Sequence, residues 1–99
     1  MASYILTNKA VDDLPVIWDY TFEVWSEVQA DKYYYLLLEH CQDLADDRAF
    51  AKNYPEINRD IFGSRVGQHI IFYRELSPGK IEVIRILHSR IDLKNKLNG

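Results

Sequence analysis

The sequence is poor in the residues that build disulfides, metal sites and phosphate loops. Cys41 is the single cysteine, so no disulfide can form within the chain, and a lone thiol is typical of a reducing cytoplasm. His40, His69 and His88 are far apart and no cysteine pair accompanies them, so we expect no metal site. Because the sequence also lacks a glycine-rich phosphate loop and a nucleophile elbow, we expect no cofactor.

Long apolar runs are missing as well. No stretch approaches the roughly 20 residues that span a bilayer, and the first ten residues lack the basic and apolar segments of a signal peptide. We therefore expect a cytoplasmic protein with no membrane partner. An apolar fraction of 47% and an aromatic fraction of 13% indicate a folded globule. The length of 99 residues predicts one domain over 1–99.

Charge is divided unevenly along the chain. The net charge is −3, but residues 1–58 hold four Lys/Arg against eleven Asp/Glu, and residues 59–99 hold eight against four. The two parts therefore carry −7 and +4. This asymmetry is equally compatible with two faces that meet different partners and with helices that simply have acidic solvent faces.

Two helical patterns follow a short first strand at residues 4–6. Thr7 has the chemistry of a helix N-cap, and Ser26 with Gln29 has the spacing of a capping box. Apolar stripes with alternating steps of four and three follow each cap: Ala10, Leu14, Ile17, Thr21, Val24 and Val28, then Ala30, Tyr34, Leu37, Cys41 and Leu44. Pro15 predicts a kink in the first helix, or a helix that begins near Asp13. The short joint predicts an antiparallel helical hairpin.

The rest of the chain is predicted to be mostly β. Residues 46–60 have no period and contain Pro55, so they are interpreted as a loop. Strands are predicted at 61–66, 68–75 and 80–88, with a type II turn at Pro78-Gly79 and one helical turn at 92–97. The resulting order is β-α-α-β-β-β. It predicts an α+β fold in which the antiparallel helical hairpin packs on a mostly antiparallel four-stranded sheet.

Basic side chains are concentrated in or just after the last three strands: Arg65, Arg74, Arg85, His88 and Arg90. Alternation places Arg85 opposite Ile84 and Ile86, hence on the uncovered sheet face if those isoleucines meet the helices. His88, three residues on, would then point away from Arg85. A single arginine of this kind is usually a solvent or ion-paired residue. The group favours a target-binding surface, and the spacing argues against a catalytic pair.

The order of elements and several motifs resemble ParE toxins of the RelE/ParE superfamily. The motifs are Ala10-x-x-Asp13-Leu14, Ile17-Trp18, Trp25, Gln29-Ala30, His69-Ile-Ile-Phe-Tyr-Arg74 and Arg85-Ile-Leu-His88-x-Arg90-x-Asp92. Together they span nearly the whole chain. The stretch Asn58-Arg-Asp-Ile-Phe62 departs from the family, which has Arg-Pro-Gly-Tyr-Arg or a similar sequence there.

The resemblance implies the toxin of a type II toxin–antitoxin system, with DNA gyrase as target. It also implies a ParD-like antitoxin partner, of ribbon-helix-helix type, through which the pair meets its operator DNA. The helices carry more aromatic surface than one stripe can bury, so we expect the antitoxin to cover part of it: Trp18, Tyr20, Phe22, Tyr33 and Tyr35. Trp25 is expected in the core.

Two alternatives remain open. The sister RelE branch of the superfamily cuts mRNA on the ribosome, and Arg85 and His88 lie near the positions that such toxins use. The lysine pair of RelE toxins is absent, and a net charge of −3 is unfavourable for docking on ribosomal RNA. The altered stretch at residues 58–62 raises the second alternative, a protein that has lost toxicity and remains only a partner of its antitoxin.

Overall fold

The computed structural model describes residues 2–47 and 51–90, which form one sheet and a helical hairpin. The elements in chain order are β1 (Ser3–Leu6), α1 (Asn8–Val24), α2 (Glu27–Asp46), β2 (Lys52–Asn53), β3 (Phe62–Val66), β4 (His69–Ser77) and β5 (Lys80–His88). The sheet order is β1-β5-β4-β3-β2. β1 runs parallel to β5, and every other pairing is antiparallel. The α+β class is confirmed, whereas the expected count of four strands is wrong.

The fifth strand lies in the segment that was interpreted as a loop. Lys52 and Asn53 pair with Gly63 and Phe62 at the edge of the sheet. Two residues are too few to show a period-2 pattern, so the sequence gives no sign of this strand. The helical turn expected at 92–97 lies outside the described residues.

The first helix begins where its cap predicts. The Thr7 hydroxyl accepts a hydrogen bond from the Ala10 N–H at 3.1 Å and donates one to the Ile84 carbonyl at 2.7 Å. This side chain therefore caps α1 and ties its start to β5. Pro15 lies inside a continuous helix, so the alternative start near Asp13 is wrong. Ser26 caps α2 by accepting from the Gln29 N–H at 3.2 Å, as predicted.

The main core lies between the hairpin and one sheet face. Buried side chains come from both helices and from β4 and β5: Ala10, Leu14, Ile17, Leu37, Cys41, Leu44, Ile71, Tyr73, Ile81, Val83 and Ile86. The predicted stripes are confirmed except at the hairpin joint, where Val24 and Val28 are exposed. Trp25, expected in the core, is 72% exposed because it is the C-cap residue at the tip of the hairpin.

The second sheet face has a small core of its own. Tyr54, Ile57 and Ile61, in the segment between β2 and β3, pack against buried Ile70, Phe72 and Leu87. Part of the face that was expected to be uncovered is therefore occupied by this segment. No helix within residues 2–47 and 51–90 is long and apolar enough to cross a membrane.

Candidate functional site

Arg85 does not look out from the uncovered sheet face, and that expectation is wrong. Its guanidinium forms two hydrogen bonds with the Asp13 carboxylate of α1, Nε–Oδ2 at 2.9 Å and Nη2–Oδ1 at 2.8 Å. The two side chains are only 15% and 12% exposed. Asp13 Oδ2 also accepts from the Ile86 N–H at 3.0 Å. This bidentate pairing raises the pKa of the arginine further.

A β-bulge changes which residues of β5 face the helices. Phe72 pairs with Arg85 and Tyr73 pairs with Val83, so β5 contains one extra residue, Ile84, between the paired positions. Val83 and Ile86 are three apart and would face opposite sides of a regular strand, yet both belong to the main core. The helix-facing residues of β5 are therefore Ile81, Val83 and Ile86, rather than Ile84 and Ile86.

Arg85 and His88 line one groove of about 390 Å³ between α1 and the end of β5. The register between them is regular, so they reach this groove from alternate positions of the strand. The groove is also lined by Asp13, Val16, Ile17, Tyr20, His69, Ile86 and Leu87. His88 lies directly across from His69, with ring centroids 5.4 Å apart in an edge-to-face arrangement.

His69 is held by Tyr33 from the second helix. The Tyr33 hydroxyl lies 2.6 Å from His69 Nδ1, donates to the Val66 carbonyl at 2.9 Å and accepts from the Gln68 N–H at 3.2 Å. The Tyr33 hydroxyl has one proton to donate, and it uses that proton in the hydrogen bond to the Val66 carbonyl. His69 Nδ1 must therefore carry a proton and donate it to Tyr33, which leaves Nε2 as an acceptor.

Burial sets the protonation state of this histidine. His69 is 6% exposed, and desolvation lowers its pKa to about 4, with a smaller contribution from the neighbouring His88. The imidazole is therefore neutral at pH 7. A neutral ring can accept a hydrogen bond in the groove but cannot contribute positive charge to phosphate binding.

A second groove of about 280 Å³ lies on the other side of Tyr20 and His69. It is lined by Tyr20, Thr21, Trp25, Gln29, Tyr33, Gly67, Gln68 and His69. Gly67 has φ of +56°, and a Cβ there would lie 2.9 Å from the Tyr33 ring. Glycine thus allows the β3–β4 turn to pack against Tyr33 and form the floor of this groove.

The remaining basic residues of the predicted target surface are more dispersed. Arg65 is exposed and its Nε donates to the Gly67 carbonyl at 3.0 Å, while Arg90 is exposed two residues after His88. Arg74 forms a 2.9 Å ion pair with Glu82. Arg65 pairs with Ile70 on β4, so Arg74 lies four residues, or about 13 Å, farther along the sheet. The structure places Arg65, His88 and Arg90 towards one end of the sheet and Arg74 apart from them, with Arg85 level with Phe72 between the two.

The five aromatic residues predicted to contact the antitoxin occupy different surfaces. Tyr20 and Tyr33 line the 280 Å³ groove. Trp18 stacks on Phe22 with ring centroids 5.3 Å apart and donates to Asp31 at 3.0 Å. Two positions apart on a helix are 200° apart around its axis, so Tyr20 lies on the opposite flank of α1 from both Trp18 and Phe22. Tyr35 is 67% exposed.

The sequence prediction missed two residues that build the site, Asp13 and His69. Asp13 lies three residues after buried Ala10 and four before buried Ile17, so an acidic side chain at the border of the apolar stripe was the available signal. His69 immediately precedes four buried residues of β4. A histidine at the start of a buried apolar run is expected to be buried too, and buried polar side chains are usually hydrogen-bonded.

Comparisons with known proteins agree with this architecture. A family model described as the ParE toxin of the type II toxin–antitoxin system, parDE, matches residues 4–93. Toxin ParE1 of Mycobacterium tuberculosis is 32% identical over 94 residues, which cover 95% of this chain and 96% of that protein. Toxin ParE of Escherichia coli is 31% identical over 97 residues, which cover 98% and 94%.

Two solved structures share the fold. A chain of the chromosomal ParDE toxin–antitoxin system from P. aeruginosa aligns with a TM-score of 0.72 at 20% identity, over 89% of this chain and 96% of that one. A chain of the RelBE2 toxin–antitoxin complex of Mycobacterium tuberculosis aligns with a TM-score of 0.67 at 17% identity, over 88% and 96%.

We predict that Asp13→Ala destabilises the protein by about 1–3 kcal/mol, because it leaves a mostly buried guanidinium and a backbone N–H without their acceptor. Asp13→Asn should cost less, since its amide oxygen can still accept from Ile86. The exposed neighbour provides a control: Asp12→Ala should change stability by less than about 0.5 kcal/mol. Urea denaturation measures all three. Equal stability of Asp13→Ala and Asp12→Ala would contradict a structural role for the ion pair.

We also predict that His69 makes stability fall as the pH drops from about 6.5 towards about 4. In that window the unfolded chain binds a proton at this histidine and the folded chain does not, so acid favours unfolding, by at most about 1.4 kcal/mol per pH unit. The difference in urea stability between wild type and His69→Gln at pH 7, 6 and 5 isolates this contribution. An NMR titration in which the His69 ring protonates near its ordinary pKa of 6.5 would overturn the assignment.

Proposed function

The chain belongs to the ParE toxin family of type II toxin–antitoxin systems, and from that premise we propose that it arrests growth by binding DNA gyrase in the cytoplasm. The observation that carries a binding mechanism is the ion pair of Arg85. Its guanidinium, the strand cation nearest the groove, is already neutralised by two hydrogen bonds to Asp13. Cleavage of a phosphodiester needs positive charge aimed at the developing phosphorane, and this arginine is directed elsewhere.

The proposed target surface is the end of the sheet where β3, β4 and β5 meet. Arg65 and Arg90 are both exposed at this end of the sheet. Arg65 precedes Val66, which pairs with His69, and Arg90 follows His88, which pairs with His69 on its other side. His88 also lines the groove of about 390 Å³. Arg85, bound to Asp13, lines the groove beside this surface. Arg74 lies about 13 Å farther along the sheet and would be its outermost residue.

We propose that a ParD-like antitoxin, of ribbon-helix-helix type, neutralises the toxin by covering the aromatic hairpin. The proposed contacts are Trp18, Tyr20, Phe22, Tyr33 and Tyr35. Three of them, Tyr20, Phe22 and Tyr35, are 57%, 47% and 67% exposed and are therefore accessible to a partner. The P. aeruginosa and M. tuberculosis structures that share this fold are described as toxin–antitoxin systems or complexes, which supports such a partner.

The outer edge of β1 offers the antitoxin backbone groups to pair with. Ser3 N–H bonds the Gly79 carbonyl and Thr7 N–H bonds the Val83 carbonyl, so alternate residues of β1 point towards β5. In a parallel ladder, Tyr4 and Leu6 then direct their N–H and C=O groups outward. A groove of about 610 Å³ adjoins this edge, with Tyr4, Leu6, Trp18 and Tyr34 among its lining residues. A strand added here could place apolar side chains in it.

Antitoxin binding is therefore predicted to slow hydrogen exchange at the Tyr4 and Leu6 amides. The Ile5 amide, which faces β5, should change little and serves as an internal control. Exchange measured with and without the product of the adjacent reading frame tests this. Unchanged exchange at Tyr4 and Leu6 would contradict strand addition, and unchanged exchange over the whole hairpin would contradict the aromatic contact surface.

A second candidate function, ribosome-dependent mRNA cleavage, is favoured by one observation. Arg85, His88 and His69 line a single groove, and Tyr33 holds His69 from below. A neutral imidazole with a free acceptor nitrogen could take a proton from a ribose hydroxyl. Two features weigh against RNA binding in this groove. The positive charge of Arg85 is neutralised by Asp13, and the helices beside the groove are acidic.

Purified toxin is predicted to inhibit supercoiling by gyrase or trap cleaved DNA, and to leave mRNA intact on programmed ribosomes. Arg65→Ala combined with Arg90→Ala should weaken inhibition about 10-fold or more, because two exposed cations leave the target surface. Lys80→Ala, exposed at the opposite end of β5, is the matched control and should be neutral. Ribosome-dependent cleavage abolished by His88→Ala, with supercoiling unchanged, would establish the second candidate instead. Failure to arrest growth when well expressed would indicate a non-toxic family member.

A further inference from the structure

Strand pairing brings two histidines together at the end of the sheet. His69 begins β4 and His88 ends β5, and the two lie directly opposite each other in the antiparallel register. Their ring centroids are 5.4 Å apart. Two imidazoles that bind one tetrahedral Zn²⁺ through nitrogen, at about 2.0–2.1 Å each, have centroids about 5.2 Å apart. The spacing of the two rings therefore already fits two ligands of one metal ion.

His69 is oriented in the way that metal-binding histidines commonly are. Its Nδ1 donates to the Tyr33 hydroxyl at 2.6 Å, which fixes the ring and leaves the lone pair on Nε2. Tyr33 lines the groove of about 280 Å³, His88 lines the groove of about 390 Å³, and His69 lines both. Because the two nitrogens of an imidazole point in nearly opposite directions, Nε2 of His69 is directed towards the groove that His88 lines.

His88 can adapt to a metal ion at small cost. Its Nδ1 accepts the Arg90 N–H at 3.1 Å, so the proton of the neutral ring lies on Nε2. Coordination through Nε2 requires that this proton leaves Nε2 and that Nδ1 takes one up, with no net gain or loss of protons. The ring then gives up the Arg90 contact, which is exposed and at the long end of the range for hydrogen bonds.

Space and charge in the groove suit a hydrated cation. A volume of about 390 Å³ leaves room for an ion with several water molecules, each of which occupies about 30 Å³. The charge of Arg85 is neutralised by its two hydrogen bonds to Asp13. Residues 8–47, which include the helix beside the groove, hold two Lys/Arg against ten Asp/Glu, a net charge of −8. The field of these helices attracts cations and repels anions.

The two ligands also determine which metals fit. Imidazole nitrogen suits zinc, copper and nickel, whereas magnesium and calcium prefer oxygen ligands. Within residues 2–47 and 51–90, no group of three or more histidine, cysteine or acidic side chains could hold a metal ion. Water must therefore complete the coordination of any ion that the two histidines bind.

We propose that His69 and His88 bind one divalent transition-metal ion, such as Zn²⁺, through Nε2 of each ring in the groove of about 390 Å³. The spacing of the histidines along the chain predicted no metal site, because this pair arises from the register of β4 with β5 and not from a local motif. With half the protein ligands of a closed structural zinc site, the expected Kd is on the order of 10 μM. The site does not depend on the identity of the toxin's target.

The test is calorimetric titration of Zn²⁺ into the full chain, carrying no added histidines. One ion per chain should bind, and His69→Gln and His88→Gln should each raise Kd at least about 10-fold. His40→Gln is the matched control, because His40 is held by Ser64 and does not line this groove. It should change Kd by less than about 3-fold. Circular dichroism with urea denaturation checks the fold of each variant.

Two further measurements separate coordination from a loss of structure. Zn²⁺ should raise the urea midpoint of the wild type and of His40→Gln, and should leave that of His88→Gln unchanged. In NMR spectra of the histidine rings, Zn²⁺ should shift Nε2 of both His69 and His88. The half-buried His88 is the more informative position, since its replacement disturbs the core least.

Three outcomes would overturn the proposal. Absence of Zn²⁺ binding up to about 1 mM would show that the pair is not a metal site. Binding that is lost in His40→Gln, and retained in His69→Gln and His88→Gln, would place the ion elsewhere. Half an ion per chain, together with a dimer that forms only with Zn²⁺, would show that the ion is held between two copies and not by the pair within one chain.

Discussion

The carboxylate of Asp13 joins α1 to β5 at the edge of the sheet, just beyond the last residue of β1 that pairs with β5. β1 ends at Leu6, opposite Val83, so the edge of β5 beyond that residue loses its neighbour while the strand continues to His88. Asp13 takes the place of the missing strand: it accepts the Ile86 N–H and fixes the Arg85 guanidinium in the same contact. A helix residue thereby satisfies a strand edge, and α1 is held in register with β5 over its first turns.

The bulged residue Ile84 lies next to this contact and is bound by α1 as well. Its carbonyl receives the Thr7 hydroxyl, so the residue that caps α1 also satisfies the irregular position in β5. Six residues after Thr7, or about 1.7 turns along α1, Asp13 binds the next two residues of the strand, Arg85 and Ile86. At the far end of the hairpin, Tyr33 performs the corresponding task for α2 by holding His69 and the turn between β3 and β4. The grooves on either side of Tyr20 are lined by Asp13 and Arg85 of the first contact and by Tyr33 and His69 of the second.

Local signals in the sequence predicted the elements well and the site poorly. Thr7 and Ser26 act as caps, Pro78-Gly79 makes the hairpin turn with φ of +76° at the glycine, and the stripe from Ala10 to Thr21 is buried, because each depends only on near neighbours. The direction of Arg85 is set by its hydrogen bonds with Asp13 of α1. These two residues are 72 positions apart, and no periodic pattern within β5 records their contact.

The prediction that Trp25 is buried failed for a different reason. Burial of a large aromatic is the ordinary outcome, and an apolar stripe that continues through a helical joint seems to extend the core. The joint, however, leaves Val24, Trp25 and Val28 53%, 72% and 62% exposed. Exposing so much apolar surface carries a risk of aggregation unless something covers it. The carboxylates that flank this joint, Glu23 and Glu27 among them, would bring like charges together in a second copy of the same hairpin. They therefore disfavour self-association through this surface.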